Sequence, residues 1–216
     1  MSYDLFNPAP DNNNSHPLLN SITPQTMEIE ISGLTYIPDF ISNQEEQDLL
    51  IAINNENWLA DLKRRVQHYG YKYDYKKRSL DYSMFIGEIP LWAKVIAERI
   101  VERQLMKKTP DQVIVNEYLP GQGIADHIDC EPCFEDTIIS LSLGSQSIMD
   151  FKNKNDRQHK KEVLLEPRSL VVITGEARYN WTHGIPAREK DKWLDRYIPR
   201  QRRVSLTFRK VILDSK

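Results

Sequence analysis

From residue 112 onwards the chain consists of short strand-like segments with no long helix between them, and this pattern restricts the possible folds most. The segments lie at 112–118, 137–143, 147–151, 161–166, 169–174 and 203–212, separated by polar or turn-like residues. Parallel strands need crossover connections of a dozen or more residues, which are usually helical. The strands are therefore expected to pair antiparallel, as in a β-sandwich.

Two amphipathic helices are predicted before the strands. Ser42, with Glu45 three residues later, is a capping-box signature and begins a helix at about 43–55. Pro90 suits the first turn of a second helix that extends to about 104. The apolar residues of this helix recur at helical spacing: Trp92, Val95, Ile96 and Ile100. Helices followed by strands predict an α+β fold, a jelly-roll core buttressed by N-terminal helices.

Length and composition limit the domain organisation. The 216 residues suffice for one domain with a substantial core. Residues 1–25, rich in Asn, Pro and Ser, are predicted to be a disordered or loosely draped arm, while 27–36 alternates as a strand. This leaves a single predicted domain at 26–216. Without a secretory signal or an apolar run of about 20 residues, we expect no contact with a membrane and a location in the cytoplasm or, in a eukaryote, the nucleus. We also expect a monomer.

The two cysteines, Cys130 and Cys133, are too few for a disulfide framework. Their Cys-x-x-Cys spacing is compatible with a redox-active pair or with half of a zinc site. A zinc site with four cysteine ligands would require two subunits, because the chain has no second pair. We expect two reduced thiols.

His127 and Asp129 are the first two candidate metal ligands. They follow a Pro-Gly turn and lie two residues apart, so that in an extended chain they point to the same face. Two histidines and one carboxylate on one face of an octahedral Fe(II) leave three positions open. Among the other histidines, His183 follows a predicted strand and precedes Gly184, which allows close backbone approach. We therefore predict a metal site formed by His127, Asp129 and His183.

The last predicted strand has a cationic face and an apolar face. Alternation places Arg203, Ser205, Thr207 and Arg209 on one face, and Val204, Leu206 and Phe208 on the other. If the cationic face points inward, it needs anionic partners, because a buried unpaired charge is very costly. A small dicarboxylate fits, since one end can chelate the metal while the other pairs with an arginine. The alternative is an edge strand that faces water.

Together these motifs resemble the Fe(II)/2-oxoglutarate-dependent dioxygenases of the AlkB type. The motifs are Asn116-x-Tyr118-x-x-Gly121 ahead of His127-x-Asp129, then His183-Gly184-Ile185, and finally Arg203-x-Ser205-x-Thr207-x-Arg209. The resemblance covers roughly residues 30–212. It implies a double-stranded β-helix core with a nucleotide-recognition lid, which would lie at about 58–86.

The resemblance also implies the cofactor and the reaction. His127, Asp129 and His183 would bind Fe(II), and 2-oxoglutarate and O2 would occupy the open positions. An N-methyl group of the substrate would be hydroxylated and lost as formaldehyde, while 2-oxoglutarate becomes succinate and CO2. Zinc would instead suit a closed four-ligand site, or a hydrolysis that needs no dicarboxylate.

For the cosubstrate, the resemblance implies five binding residues. Asn116 and Tyr118 would hydrogen-bond 2-oxoglutarate, and Arg209 would pair with its distal carboxylate. Arg203 would lie near the metal-bound end or brace the metal-binding aspartate. Ser205 stands where AlkB itself has Asn, so one contact to the cosubstrate would be shortened or lost.

Aromatic and basic residues are interleaved in the segment 63–75, where the lid would lie. Tyr69, Tyr71, Tyr73 and Tyr75 share one face if this segment is extended, a pattern that suits base stacking and phosphate contact. The candidate substrate residues are Arg64, Arg65, Tyr69, Tyr71, Tyr73 and, by the resemblance, Glu131. The alternatives are a packed hairpin with solvated charges and an exposed loop acid at Glu131.

The charge distribution suits an anionic polymer as substrate, and the alternative is a basic face that is simply solvated. Residues 1–62 contain ten acidic residues and no Lys or Arg, so that all 29 basic residues follow. We predict an oxygenase that demethylates or hydroxylates alkylated bases in DNA or RNA, in alkylation repair or tRNA modification. The alternatives are an oxygenase acting on a protein or lipid, and a non-catalytic nucleic-acid-binding module.

Overall fold

A computed structural model of the chain describes residues 27–60, 63–74, 79–156 and 158–213, so the predicted arm at 1–25 lies outside the described residues. The strands are β1 Met27–Glu28, β2 Leu34–Ile37, β3 Val66–Tyr71, β4 Phe85–Gly87, β5 Gln112–Tyr118, β6 Ile124–His127, β7 Phe134–Gly144, β8 Ser147–Asn153, β9 Lys160–Leu165, β10 Leu170–Ile173, β11 Trp181–Ile185, β12 Lys190–Trp193, β13 Arg196–Pro199 and β14 Arg203–Val211. The helices are α1 Asn43–Asn54, α2 Leu91–Glu102 and α3 Gly175–Tyr179, with one 3-10 turn at Tyr82–Met84.

The strands form two main sheets and one hairpin. The larger sheet has the order β1-β2-β10-β7-β14-β5-β3-β4, and the smaller sheet has the order β6-β11-β8-β9. Strands β12 and β13 form the separate hairpin. Within the described residues every strand pairing is antiparallel, as the absence of crossover helices predicted.

Helices α1 and α2 pack on one face of the larger sheet. The predicted capping box of α1 is confirmed, because Ser42 Oγ accepts from the Glu45 backbone N–H and the Glu45 carboxylate accepts from the Ser42 N–H. The layer between helices and sheet is apolar and contains Ile53, Ile96, Ile100, Val113, Val115, Leu141, Val204, Leu206 and Phe208. Val95, which was expected on the buried face of α2, is exposed. Ala93 and Ala97 are buried instead, and their small side chains let the helix approach the sheet closely.

A second apolar cluster lies between the two sheets. It joins Ile138, Val171 and Ile173 of the larger sheet to Phe151, Val163 and Trp181 of the smaller sheet. Neighbouring residues of β7, β10 and β14 alternate between this side and the helix side, as the period of two in a strand requires. The site described below occupies the part of this interlayer space that the cluster leaves open.

The prediction of one continuous strand at 27–36 is wrong, because the structure has two short strands there, β1 and β2. The division falls beside Gly33, whose φ of +83° favours glycine. A Cβ atom there would lie 2.2 Å from the Thr174 carbonyl oxygen. The chain therefore reverses direction at this point, and β1 pairs with β2 as a hairpin.

Six strands and one short helix were not predicted: β3, β4, β6, β11, β12, β13 and α3. The β12–β13 hairpin lies within residues 186–202, a polar stretch for which no strand was predicted. Its base is held by the buried Asp191, which accepts hydrogen bonds from Arg188 and Arg200 at 2.6–2.8 Å. Ion pairs take the place of an apolar core here, so hydrophobic periodicity gave no signal.

The predicted lid segment at 58–86 contributes β3 and β4 to the larger sheet. The expectation that its tyrosines share one face is wrong for Tyr69, which packs with the helix-side cluster, whereas Tyr71 and Tyr73 pack with the cluster between the sheets. The strand pairing shifts register at Gly70, which has a φ of +76°. Tyr75 lies outside the described residues, and a nucleotide-recognition role for the segment stays a prediction.

The cysteines differ from expectation, because Cys130 and Cys133 form a disulfide. A tight turn, in which the N–H groups of Cys133 and Phe134 donate to the Cys130 carbonyl, brings the two cysteine Cα atoms to 5.2 Å from each other.

None of the helices in the described ranges is long and apolar enough to cross a bilayer.

Candidate metal and cosubstrate site

The structure brings together His127, Asp129 and His183, the three predicted metal ligands. One potential ligand atom from each lies within 4.8 Å of the others. His127 on β6 stands directly opposite His183 on β11, with ring centres 4.5 Å apart, and Asp129 follows β6 by two residues. Asp129 Oδ2 lies 3.4 Å from His183 Nε2. The pairing of β6 with β11 therefore closes a sequence gap of more than fifty residues.

The surroundings of His127 leave one ring nitrogen free to bind a metal. Its Nδ1 lies 2.9 Å from the Ala125 carbonyl oxygen, so that Nε2 remains available. Burial, followed by the neighbouring His183, lowers the pKa of His127 to about 4. A neutral imidazole is the form that binds a metal.

Arg209 keeps Asp129 ionised. Burial would raise the pKa of Asp129, but the adjacent Arg209 guanidinium holds it well below its ordinary value. Arg209 Nη2 lies 2.5 Å from Asp129 Oδ1, and Arg209 Nη1 donates to Gln112 Oε1. The other carboxylate oxygen, Oδ2, is buried and has no hydrogen-bond partner among the described residues. It is therefore free to act as a metal ligand.

The three residues lie in a cavity of about 1040 Å³. Strand β5 contributes Ile114, Asn116 and Tyr118 to its wall, and β14 contributes Arg203, Ser205, Thr207 and Arg209. The predicted alternation of β14 is thereby confirmed, and its cationic face points inward rather than to water. All five predicted cosubstrate residues line this one cavity.

Arg203 has the environment of an anion-binding residue. It is only 2% exposed, and its Nη2 donates to Ser142 Oγ at 2.8 Å. Its Nε and Nη1 have no hydrogen-bond partner within the described part of the chain, and its guanidinium carbon lies 5.4 Å from the centre of the Tyr118 ring. Burial lowers the pKa of Arg203 to about 10, which still leaves it cationic at neutral pH. Two unsatisfied N–H groups on a buried cation suit a carboxylate.

The positions of the two arginines correct one expectation. Arg209, and not Arg203, braces Asp129. Arg203 instead contacts Ser142 of β7 and Tyr118 of β5, the two strands that pair with β14. Alternation predicted that both arginines share a face, but it could not show which of them lies beside the metal ligands.

Two of the six candidate substrate residues line the cavity. Arg64 donates from Nε to Asn116 Oδ1 at 2.8 Å, and Tyr73 packs on Phe134 with ring centres 5.6 Å apart. Of the two, Arg64 contacts a predicted cosubstrate residue.

The other four candidates do not line this cavity, and their role in substrate binding stays a prediction. Arg65 forms a bidentate ion pair with Glu117 at 2.6 and 2.7 Å. Tyr69 packs edge-on against Trp92, and Tyr71 packs against Phe85. Glu131 is exposed. These positions are compatible with the alternatives of a packed hairpin with solvated charges and an exposed loop acid.

Three residues of the site were missed in the sequence. Lys152 lines the cavity and pairs with Asp126 at 2.7 Å. The buried Arg178 of α3 donates to the Asp129 and Cys130 carbonyl oxygens, at 2.9 and 3.3 Å, behind the metal-binding aspartate. These contacts join distant parts of the chain, and no local pattern marks them.

Comparison with known proteins gives one family and close relatives. The family model of the 2OG-Fe(II) oxygenase superfamily matches residues 33–209. The chain is 41% identical over 206 residues to an Arabidopsis thaliana protein named "Alkylated DNA repair protein ALKBH8 homolog", covering 85% of this chain and 60% of that protein. It is 42% identical over 167 residues to the mouse "tRNA (carboxymethyluridine(34)-5-O)-methyltransferase ALKBH8", covering 74% of this chain and 25% of that protein. The chain thus spans only part of the length of these two relatives.

A solved structure supports the architecture. "The structure of OsALKBH1" superimposes with a TM-score of 0.66 at 16% identity, covering 86% of this chain and all of that chain. At this identity the likeness concerns the fold alone. The predicted jelly-roll fold buttressed by helices is confirmed.

Proposed function

The chain belongs to the 2OG-Fe(II) oxygenase superfamily, and on this premise we propose that it is an Fe(II)/2-oxoglutarate-dependent oxygenase that demethylates or hydroxylates alkylated bases in DNA or RNA. The observation that carries the proposal is the content of one cavity. A cluster of two histidines and an aspartate shares it with Arg203, whose buried guanidinium has two N–H groups without a partner among the described residues.

The ligand set fits iron. His127, Asp129 and His183 supply two imidazoles and one carboxylate, the set found in non-haem Fe(II) oxygenases. When bound, Fe(II) and 2-oxoglutarate activate O2 for hydroxylation of a C–H bond. Arg209 keeps Asp129 ionised, and Arg178 fixes the backbone carbonyl of Asp129 from behind.

The wall of the cavity fits a dicarboxylate. We assign the distal carboxylate of 2-oxoglutarate to the unpaired N–H groups of Arg203. Asn116, Tyr118 and Ser205 supply neutral hydrogen-bonding groups on the same two strands. In this assignment Arg209 braces the metal carboxylate, so the two arginines exchange the roles expected from the sequence.

The cavity has room for a substrate beside the cosubstrate. Its volume of about 1040 Å³ is at the upper end of the roughly 300–1,000 Å³ of ordinary ligand pockets. Lys63, Arg64 and Tyr73 line it and offer two cations and an aromatic ring, which suit a nucleotide. The names of the relatives, which refer to alkylated DNA and to tRNA, agree with this substrate class.

The overall reaction balances without a further reductant. An N-methyl base, O2 and 2-oxoglutarate give the unmethylated base, formaldehyde, succinate and CO2. The protein positions the methyl group near the metal and excludes water from the buried Arg203 and Asp129. We propose one domain over 26–216 that acts where its nucleic-acid substrate lies, in the cytoplasm or nucleus.

The test is a mass-spectrometric screen of methylated DNA and RNA oligonucleotides with the wild type and with His183→Ala. We expect the wild type to remove or hydroxylate at least one N-methyl group with stoichiometric succinate, and His183→Ala to do neither. Turnover of 2-oxoglutarate by the wild type without any modified oligonucleotide would favour an oxygenase of proteins or lipids. Oligonucleotide binding with no turnover at all would favour the non-catalytic module.

A further inference from the structure

Arg64 joins the rim of the cavity to the cosubstrate pocket. Its Nε donates to Asn116 Oδ1 at 2.8 Å, and its guanidinium carbon lies 5.7 Å from the centre of the Tyr118 ring. Arg203 contacts the same ring. Both partners of Arg64 are thus residues to which we assign 2-oxoglutarate binding.

The bond from Arg64 determines which end of the Asn116 amide faces the cosubstrate. An asparagine amide has an acceptor oxygen at one end and a donor NH2 group at the other. The oxygens of 2-oxoglutarate are acceptors, so only the NH2 end can bind them. Arg64 carries donors alone and holds the oxygen end. Without Arg64 the amide can rotate and present an acceptor to an acceptor, which weakens cosubstrate binding.

The segment that carries Arg64 is fastened to the cavity wall on both sides of this bond. The Lys63 carbonyl accepts from Gln122 Nε2 at 2.9 Å, and Gln122 Oε1 accepts from the Leu119 N–H. Next in the chain, the Arg65 carbonyl oxygen accepts from the Glu117 N–H at 3.0 Å, a backbone bond that does not depend on the Arg65 side chain. Segment 63–65 therefore cannot shift without disturbing the end of β5 and the turn that follows it.

The outer end of Arg64 is accessible to a large anionic ligand. Arg64 is half-buried, its neighbour Lys63 is exposed, and both line the cavity. Because the bond to Asn116 uses Nε, the two terminal amino groups of the guanidinium stay available to a second ligand. A guanidinium edge of this kind binds a phosphate with two parallel hydrogen bonds, which an ammonium cannot do.

We infer that Arg64 couples the two ligands of the enzyme. A phosphate of the nucleic-acid substrate binds the terminal amino groups and immobilises the guanidinium, and Arg64 in turn holds Asn116 in the orientation that binds 2-oxoglutarate. The inference rests on the proposed function. By linkage each ligand raises the affinity for the other by the same factor, and we expect roughly 5-fold or more in the wild type.

The experiment is a binding cycle under nitrogen with Fe(II)-loaded protein. The Kd of 2-oxoglutarate is measured with and without a single-stranded oligonucleotide that carries one 1-methyladenine, as DNA and as RNA. The Kd of the oligonucleotide is measured with and without 2-oxoglutarate, so that the two coupling factors check each other. The variants are Arg64→Lys and Arg64→Gln, with Arg65→Lys and Arg65→Gln as matched controls on the neighbouring residue outside the cavity.

We expect the coupling factor to fall to about 1 in both Arg64 variants and to keep the wild-type value in both Arg65 variants. Arg64→Lys retains the charge and should keep most of the oligonucleotide affinity, whereas Arg64→Gln should weaken it several-fold and lower its salt dependence by about one phosphate contact. A coupling factor that persists in Arg64→Lys and Arg64→Gln overturns the inference and leaves the proposed function intact. A wild type that turns over 2-oxoglutarate but binds neither oligonucleotide refutes the nucleic-acid substrate itself.

Discussion

Strand β14 presents two chemically opposite faces to two regions of the molecule. Towards the helices it carries Val204, Leu206 and Phe208, all buried in an apolar layer. Towards the cavity it carries Arg203, Ser205, Thr207 and Arg209. The helix side fills its space with side chains, whereas the cavity side leaves about 1040 Å³ open. The same sheet thus provides stability on one face and a binding site on the other.

Charged residues on the two sides differ in how their hydrogen bonds are satisfied. Glu117, which follows Val113 and Val115 in the β5 alternation, is buried and paired with Arg65 and Arg202. Arg203 stands opposite Tyr118 where β14 runs beside β5. It retains two N–H groups without a hydrogen-bond partner in the described chain. A fully paired buried charge has no hydrogen-bonding capacity left, while an incompletely paired one keeps donors that a ligand or water can satisfy.

The largest effect is expected from the metal ligands on the cavity side. Asp129→Ala should lower succinate formation by at least ~100-fold, since loss of a mere supporting partner of a metal ligand costs about 10–100-fold. His159→Ala is the matched control, because His159 is an exposed histidine that packs on Trp181 outside the cluster. Succinate assays with added Fe(II) measure both. Near-wild-type turnover by Asp129→Ala would remove the metal assignment.

Next in size is the loss of the unpaired arginine. Arg203→Met should raise the KM for 2-oxoglutarate by at least roughly 100-fold, because two charge-assisted hydrogen bonds of about 1.5–3 kcal/mol each are lost. Thermal unfolding should show an equal or higher Tm, since a buried, incompletely paired charge is replaced by an apolar side chain. A clear drop in Tm with an unchanged KM would instead make Arg203 a structural residue like those on the helix side.

The opposite face of the same strand should give the opposite result. Leu206→Ala removes a fully buried side chain from the helix-side layer and should cost about 2–5 kcal/mol of unfolding free energy. The KM for 2-oxoglutarate should stay unchanged in the folded protein. Denaturant titration and steady-state kinetics provide the two measurements, and a large rise in KM would show that the two faces are not independent.

The smallest effect concerns the paired charge on the helix side. The hydrogen bonds from Arg65 lower the pKa of Glu117 below its ordinary value of 4.5. Burial acts in the opposite direction, and the hydrogen bond from Arg202 adds to the lowering. Its folded-state pKa is depressed, so this stabilisation is present above pH 4.5 and is lost as the pH falls through the folded-state value. Glu117→Gln should therefore lower the free energy of unfolding by about 1 kcal/mol at pH 7. The effect is small because Arg65 is half exposed and solvent screens the pair. Unfolding curves should converge with those of the wild type as the pH falls through the folded-state pKa of Glu117; a constant difference would contradict this account.

Local patterns predicted much of the fold and part of the site. The Ser42–Glu45 capping box and the alternation of β14 each depend on residues close in the chain, and the structure bears both out. The tyrosine alternation failed at Gly70, because close contact with Asp111 requires a conformation that only glycine adopts readily. The β12–β13 hairpin was missed because the Asp191 ion pairs, and not apolar periodicity, hold it.

The sequence by itself determined which residue types could bind a metal and a dicarboxylate, because side-chain chemistry and strand alternation are local properties. Only the tertiary structure decided their arrangement. The pairing of β6 with β11 placed His183 opposite His127, and the stagger of β14 against its neighbours put Arg209 beside Asp129 and Arg203 beside Tyr118. It also brought Arg64 to Asn116 while turning Arg65 towards Glu117. Register between distant strands is set by the packing of the whole sheet, and no short stretch of sequence encodes it.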